Sequence, residues 1–117
     1  MIDEFIQRLM AKLNTVITSY YEEAPKNAVF PYAVVPTISV SDLGYGLQCL
    51  FDVEVYKNEL SNVDLEKKCD SIRTTLDNYS EKNSVCGFHI GFDGQFFSRQ
   101  NEQDLTMRRL TFIGRIF

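Results

Sequence analysis

Only a few side chains in this sequence combine a residue type and a spacing that support chemistry. His89 is the one histidine and follows Cys86 by three positions. A thiol and an imidazole form a nucleophilic dyad when both lie on one side of a strand within hydrogen-bonding reach. Residues three apart on a regular strand point to opposite faces. The spacing therefore favours a surface histidine, and an enzyme using His89 with Cys86 or Asp52 is the least favoured function.

Asp52 and Glu54 form the second candidate, because residues two apart share one face of a strand. Paired carboxylates perform acid–base catalysis or hold Mg²⁺ or Ca²⁺. Two carboxylates without a further acidic cluster are weak evidence for either. We therefore expect a solvated or subunit-facing sheet surface, with no metal, no cofactor and no catalytic residue.

Other chemical motifs are missing from the sequence. The glycines of Gly44–Gly46 and of Gly87 with Gly91 match no phosphate-binding loop, and no HExxH, GxSxG or EF-hand pattern occurs. Cys49, Cys69 and Cys86 are odd in number and include no CxxC pair, which argues against a disulfide framework and a zinc knuckle. Cys49 and Cys69 fall on apolar stripes, so we expect both in the core.

Length and composition indicate one globular domain over residues 1–117, with 44% hydrophobic and 24% charged residues. The formal net charge of −4 argues against a nucleic-acid binder held by phosphate contacts. No apolar run reaches the roughly 20 residues that span a bilayer, and the N-terminus lacks the features of a signal peptide. We expect synthesis in a reducing cytoplasm and no membrane partner.

Hydrophobic periodicity predicts two amphipathic helices. The first starts at Ile2 and keeps its apolar stripe to Tyr20, and Pro25 stops any continuation. The second begins with a cap at Ser61 or Asn62. Its apolar stripe consists of Leu65, Cys69, Ile72, Leu76 and Tyr79.

Period-two patterns and turn residues predict the strands. One strand contains Pro36, which lacks a ladder donor and belongs on an edge or at a bulge. Asp93-Gly94 predicts a two-residue hairpin turn. Loops are predicted at 24–31, 41–46, 57–61, 80–84 and 100–104. The predicted strands are Tyr32–Val40, Leu47–Tyr56, Val85–Phe92, Gln95–Arg99 and Leu105–Phe117.

This order of elements predicts an α+β fold in which two helices pack on one face of a mainly antiparallel sheet. The opposite sheet face then carries charged and polar side chains: Asp52, Glu54, Arg109, Thr111 and Arg115. Opposite charges on it either pair across strands or face another subunit.

Several exposed positions are candidates for an interface with a subunit or partner. Phe96 and Phe97 are adjacent on one strand, so one of them is expected off the core. Arg108 and Arg109 place one guanidinium on each face by the same rule, and Tyr45 sits at the tip of a glycine-flanked loop. The candidate interface residues are Tyr45, Asp52, Glu54, Phe96, Phe97, Arg99, Arg108, Arg109 and Arg115.

Residues 99–117 carry four arginines against Glu102 and Asp104, while the rest of the chain is acidic. This asymmetry has two interpretations. The charges are either scattered and solvated, or they help like copies meet head to tail.

The whole chain resembles the tail terminator, or tail-completion, family of minor tail proteins in long-tailed bacteriophages and prophages. Four features carry the resemblance: the N-terminal helix beginning Ile2-Asp-Glu-Phe-Ile6, the run Phe30-Pro-Tyr-Ala-Val-Val-Pro36 leading into Phe51-Asp-Val-Glu-Val-Tyr56, the helix that follows, and the closing strand Leu110–Phe117.

The resemblance implies a virion structural protein that assembles as a homo-hexameric ring. The ring caps the tail tube, stops its polymerisation and joins it to the head connector. The implied partners are further copies, the tail-tube protein, the head-completion protein and DNA passing through the lumen without specific binding. The protein is then made in the bacterial host cytoplasm and found in the virion neck or tail. By analogy of position, ring contacts fall at 41–46, 57–61 and 93–104.

Two other functions remain open. A head-side neck or head–tail joining protein would also assemble as a ring but would bind the portal side. A small dimeric ligand-binding or regulatory α+β domain belongs to a different class and is expected to show an apolar pocket beside His89.

Overall fold

A computed structural model describes residues 2–57, 62–82, 87–100 and 105–117, with the backbone alone at 62, 96–100, 105 and 106. Within these residues the chain forms two helices and seven strands. In chain order they are α1 (Ile2–Leu13), β1 (Ser19–Tyr21), β2 (Tyr32–Val35), β3 (Ile38–Asp42), β4 (Leu47–Lys57), α2 (Asn62–Leu76), β5 (Ser80–Lys82), β6 (Gly87–Gln100) and β7 (Leu105–Ile116).

One curled mixed sheet contains all the described strands, in the order β1-β2-β4-β7-β6-β5, with β3 also paired to β4. Strands β1 and β2 are parallel, and the other pairings are antiparallel. The centre is the β4–β7 ladder, which runs from Leu47 opposite Ile116 to Lys57 opposite Thr106. The predicted α+β class, with two helices against a mainly antiparallel sheet, is confirmed.

The core fills the space between the helices and one face of this sheet, here called the inner face. Phe5 of α1 lies edge-on to Phe51 and Phe88, with ring centroids 6.0 and 5.1 Å away. Phe51 stacks on Phe112 of β7 at 5.5 Å. Such aromatic contacts add to the free energy of apolar burial, and they hold α1 over the centre of the sheet.

Helix α1 is shorter than its apolar pattern predicts, because it ends at Leu13 and not at Tyr20. Asn14 donates its side-chain amide to the carbonyl of Met10 and accepts from the backbone N–H of Ser19, and Thr15 donates its hydroxyl to the carbonyl of Lys12. Side chains that bond the local backbone in this way compete with helical hydrogen bonds. The residues after them form β1, parallel to β2.

The predicted strand Tyr32–Val40 divides at Pro36 into β2 and β3, which pair one after the other along β4. Proline cannot donate to the ladder, so its predicted edge or bulge position agrees with this break. The predicted hairpin turn at Asp93-Gly94 is wrong. Strand β6 continues through it with a register shift between Phe92 and Gly94, because β7 is long enough to pair with both halves.

The predicted loop 80–84 is wrong in its first part, since Ser80–Lys82 form β5 against β6. Strand β6 is described from Gly87, so the predicted strand residues Val85 and Cys86 lie outside the described residues, as do 58–61 and 101–104 of the predicted loops. Neither described helix is long and apolar enough to cross a membrane.

Candidate functional site

The face of the sheet opposite the two helices, here called the outer face, carries four of the nine predicted interface residues: Asp52, Glu54, Arg109 and Arg115. Alternation along the central ladder defines it, because the residues of β4 and β7 that belong to the hydrophobic core pack on the inner face and their neighbours point away. Its central residues are Gln48, Leu50, Asp52, Glu54 and Tyr56 of β4 and Met107, Arg109, Thr111, Ile113 and Arg115 of β7.

Charged side chains on the outer face pair across the strands. Arg109 donates from Nη2 to Glu54 Oε2 at 3.0 Å, and its Nε lies 3.8 Å from Asp52 Oδ2. The hydroxyl of Thr111 donates to Asp52 Oδ1 at 2.7 Å, and that of Tyr56 donates to Glu54 Oε1 at 3.3 Å. Of the two expectations for this face, cross-strand pairing is therefore present.

These contacts also bear on the chemistry suggested for Asp52 and Glu54. Each carboxylate already accepts hydrogen bonds from this chain, and Arg109 supplies the compensating positive charge. Within the described residues there is no group of His, Cys, Asp and Glu side chains suited to a metal ion. The arrangement is that of a structural ion-pair network, in which the buried Nε of Arg109 has no hydrogen-bond partner among the described residues.

Adjacent arginines lie on opposite faces, as the sequence predicts. Arg108 reaches the inner side, where its Nε donates to Glu66 Oε1 of α2 at 2.6 Å. Gln95 of β6 donates to the other oxygen of Glu66 at 3.1 Å. The Arg108 side chain is 11% exposed, compared with 43% for Arg109. Arg108 thus ties α2 to the sheet within one chain, and a role in a subunit contact stays a prediction.

His89 is exposed on the outer face, directly across from Arg115. Asp52 pairs with Thr111, four residues along β7 from Arg115, which separates it from His89 by about 13 Å along the strand direction alone. A His89–Asp52 dyad is therefore not formed. Cys86 lies outside the described residues.

A shallow depression of about 210 Å³ lies beside His89, lined also by Gly91, Phe92, Ile113 and Arg115. Sites for small-molecule ligands usually measure about 300–1,000 Å³ and enclose most of the ligand. This depression is smaller and open to one side, so it supports the ligand-binding alternative weakly.

The loop between β3 and β4 presents Tyr45, whose side chain is 79% exposed. Asp42 Oδ1 accepts from the backbone N–H of Gly44 at 2.8 Å, and Gly44 has φ of 86°, a left-handed conformation that favours glycine. A Cβ at Gly46 would collide with the backbone carbonyl of Ile116. The loop is therefore fixed against the end of β7, with its tyrosine in solvent.

The side chains of Phe96, Phe97 and Arg99 lie outside the described residues. Their backbone register is described: Phe96 pairs with Arg109 and Phe97 with Arg108. Which of the two phenylalanines points away from the core stays a prediction, as does the proposed interface role of the three residues.

A cluster of four aromatic rings on the outer face was missed by the sequence reasoning. Tyr32 contacts Tyr56, Tyr20 and Phe30, with ring centroids 5.4, 5.9 and 5.1 Å away. Burial raises the pKa of Tyr56 to about 12, and the neighbouring carboxylate of Glu54 acts in the same direction. The apolar pattern of the sequence predicts Tyr20 in α1, and the pairing of β1, β2 and β4 brings these rings together.

No family model matches the sequence, and no curated protein matches it. Among solved structures, a chain from one described as "Virion of native gene transfer agent (GTA) particle" has the same fold, with a TM-score of 0.68 and 17% sequence identity. The match covers 92% of this chain and 83% of that chain. At this level of identity, the likeness establishes a shared fold.

Proposed function

We propose that this chain is a structural protein of a phage-like virion and works by shape, through contacts with copies of itself and with neighbouring virion proteins. The observation that carries the proposal is the fold match to a chain of a gene transfer agent virion, which covers 92% of this chain. The carboxylates Asp52 and Glu54, moreover, are engaged in ion pairs.

Within that class we infer the more specific role of tail terminator, a ring that caps the tail tube and joins it to the head connector. The full-length resemblance of the sequence to that family supports this role. The structure contributes surfaces suited to it: a rigidly held exposed tyrosine at Tyr45 and a sheet face on which no described helix packs. Exposed aromatic side chains on fixed loops are common anchors of protein interfaces.

A ring requires heterologous contacts, in which one surface of a copy meets a different surface of the next copy and the rotation closes. Each copy carries a formal net charge of −4. If acidic residues line the lumen, they repel the DNA phosphates and let DNA slide without specific binding. Charge reversal of lumen residues without any effect on DNA ejection or tail assembly would remove this part of the proposal.

Deletion of the gene in the source organism, followed by electron microscopy of induced particles, tests the role. A missing terminator leaves tube polymerisation unchecked, so we expect overlong tails that are not joined to heads. Tails of normal length beside separate filled heads would instead assign the chain to the head-side neck. Intact infectious particles would contradict both virion roles.

Immunogold labelling of wild-type particles supplies an independent readout, because a tail terminator must lie between tail and head. Label at that junction is the expected result. Light scattering of the purified chain tests self-assembly separately, with a hexamer mass expected at high concentration. A strict dimer that never enters particles would favour the ligand-binding alternative.

A further inference from the structure

Two oppositely charged regions lie at opposite ends of the strand order. The first, here called the basic corner, is formed on the outer face by Lys82 of β5, His89 of β6 and Arg115 of β7. Register fixes their proximity: Ser80 pairs with His89, Lys82 pairs with Gly87, and His89 pairs with Arg115. All three basic side chains are exposed.

Arg115 differs from the other arginines whose side chains the structure describes. Arg8 and Arg108 bond to glutamates, Arg109 bonds to Glu54, and Arg73 lies over the ring of Phe92 at 4.4 Å. Arg115, by contrast, has no ionic or ring partner within the described part of the chain. A guanidinium left open in this way is suited to bidentate contact with a carboxylate or phosphate from another molecule.

The open depression of about 210 Å³ between His89 and Arg115 makes the basic corner concave, so that a side chain of another molecule can enter it. Gly91, Phe92 and Ile113 line this depression with apolar atoms, and Phe117, 63% exposed, lies beside Gly87 two residues before His89. A single carboxylate side chain with its methylene groups is small enough for such a space. The region thus combines apolar atoms with the guanidinium of Arg115 and the imidazole of His89.

The second region, here called the acidic turn, consists of Glu22 and Glu23 after β1. The backbone N–H of Glu22 donates to the carbonyl of Val35 at 2.8 Å, and that of Glu23 donates to the carbonyl of Tyr21 at 3.0 Å. Glu22 adopts φ of 71°, an uncommon conformation for a residue with a side chain. Both side chains are exposed and form no ion pair among the described residues. Two carboxylates are therefore presented from a fixed backbone.

We propose that the acidic turn of one copy docks into the basic corner of the next copy, with a carboxylate of Glu22 or Glu23 held by Arg115 and His89. The inference rests on the proposed ring function and names the surfaces that close it. Strand β1 is first and β5 last in the main strand order, so the two regions lie on opposite edges of the sheet. The contact is consequently head to tail, as a ring requires.

Charge reversal of the full-length chain tests the contact. We expect Arg115→Glu alone, and Glu22→Lys with Glu23→Lys, each to weaken self-association at least about tenfold, because like charges then face each other. Combining all three substitutions in one chain should restore it. Lys67→Glu and Asp70→Lys on the exposed side of α2 serve as matched controls and should change nothing. Equal weakening by the controls, or no recovery in the combined variant, would overturn the inference.

Cross-linking distinguishes a head-to-tail contact from a symmetric contact between two copies. In a Cys86→Ser background, a chain carrying both Glu23→Cys and Lys82→Cys keeps Glu22, His89 and Arg115 for the contact and should give a ladder of covalent oligomers with a short bis-maleimide reagent. Each single variant should give no covalent oligomer. A covalent dimer from Lys82→Cys alone would indicate a symmetric contact, and no ladder at any protein concentration would indicate no contact. Either result would overturn the inference.

The competing occupant of the basic corner is a DNA phosphate, and a short DNA duplex is the probe for it. Loss of duplex binding by Arg115→Glu, with self-association unchanged, would assign the corner to DNA and overturn the inference. The virion role fails on different evidence, namely normal particles after gene deletion. A particle defect together with unaffected self-association in the charge-reversed variants would therefore refute only the docking contact.

Discussion

The two faces of one sheet follow different physical rules. On the inner face, Phe5, Phe88 and Phe112 are at most 1% exposed and the helices exclude water. On the outer face, Arg109 and Asp52 are 43% and 36% exposed and pair at the surface. Apolar burial contributes roughly 25 cal/mol per Å², whereas an exposed ion pair contributes about 0–1 kcal/mol. The inner face therefore supplies the stability of the fold.

This division leaves the outer face available for recognition. Leu50 is 43% exposed between the Asp52 and Gln48 positions, and the aromatic cluster around Tyr32 lies on the same side. Substitutions on this face should alter assembly with little effect on folding, whereas inner-face substitutions should unfold the protein before any interface is tested. Pairs of variants, one on each face, test whether stability depends on the inner face and assembly on the outer face.

The largest effect is expected for Phe5→Ala. The ring is fully buried and contacts Phe51 and Phe88, and one of its atoms lies 3.0 Å from the position that a Cβ of Gly114 would take. Its removal leaves a cavity that α1 cannot close without moving, so we expect a loss of about 3–5 kcal/mol in the free energy of unfolding. Urea denaturation followed by circular dichroism measures it.

Leu50→Ala is the matched outer-face control. At 43% exposure, its truncation should cost less than about 1 kcal/mol of unfolding free energy. If both variants lost similar stability, the outer face would be part of the core and the comparison would fail.

The adjacent arginines provide a finer test of the same comparison. Arg108→Ala removes the inner-face contact to Glu66 beneath α2, where the arginine is 11% exposed, and should cost about 2 kcal/mol of unfolding free energy. Arg109→Ala should cost about 1 kcal/mol or less, since Arg109 is 43% exposed and Glu54 keeps the Tyr56 hydroxyl as a hydrogen-bond partner. Chemical denaturation at low and high salt measures both losses, and equal losses in the two variants would show that the faces are equivalent.

The elements that the sequence predicts well are those that bury a whole periodic stripe. Helix α2 begins near the predicted cap, with Leu65, Cys69, Ile72 and Leu76 buried. The long strands β4 and β7 alternate as expected, and this alternation correctly separates Arg108 from Arg109. Periodicity succeeds here because one face of each element packs against a single continuous core.

The elements that the sequence does not predict form only by pairing with other strands of the sheet. Strands β1 and β5 have three residues each and exist only through pairing with β2 and β6. Asp93-Gly94 is a typical sequence for a two-residue hairpin turn. The partner strand β7 nevertheless extends past it, and the register shifts there as in a β-bulge. The basic corner unites residues from three strands, so no local pattern in the sequence could have revealed it.

Alkaline pH should lower the stability through groups on both faces. Burial raises the pKa of Tyr56, Tyr79 and Cys69 to about 12, from ordinary values of 10.0, 10.0 and 9.0. A group that holds its proton more tightly in the folded state contributes full stability below its unfolded pKa and loses that contribution as pH rises. The unfolding free energy should therefore fall between about pH 9 and pH 12, as urea titrations across this range would measure.

Tyr79→Phe tests how much of the stability loss at alkaline pH comes from Tyr79, on the inner side of the sheet. The Tyr79 hydroxyl donates to Glu81, which also accepts from Arg8 of α1 at 3.0 Å. The variant should be less stable than wild type at pH 8, since it lacks this hydrogen bond, and the difference should shrink toward pH 12 as the wild-type tyrosinate forms. A constant difference at every pH would show that Tyr79 does not contribute to the alkaline transition.

The smallest effect is expected for Thr111→Val on the outer face. The substitution removes the hydrogen bond to Asp52, worth about 0.5–1.5 kcal/mol, and the high strand propensity of valine offsets part of that loss. Asp52, at 36% exposure, remains hydrated and lies 3.8 Å from the Nε of Arg109. A net change of about 0.5 kcal/mol in unfolding free energy is therefore expected.

Self-association gives Thr111→Val its second readout. Because Asp52 and Arg109 keep their charges in this variant, a ring contact through the basic corner should be unaffected in light scattering. Weakened assembly at nearly unchanged stability would move the subunit contact from the basic corner to the centre of the outer face. The division between the two faces would then hold, but the docking surface would be a different one.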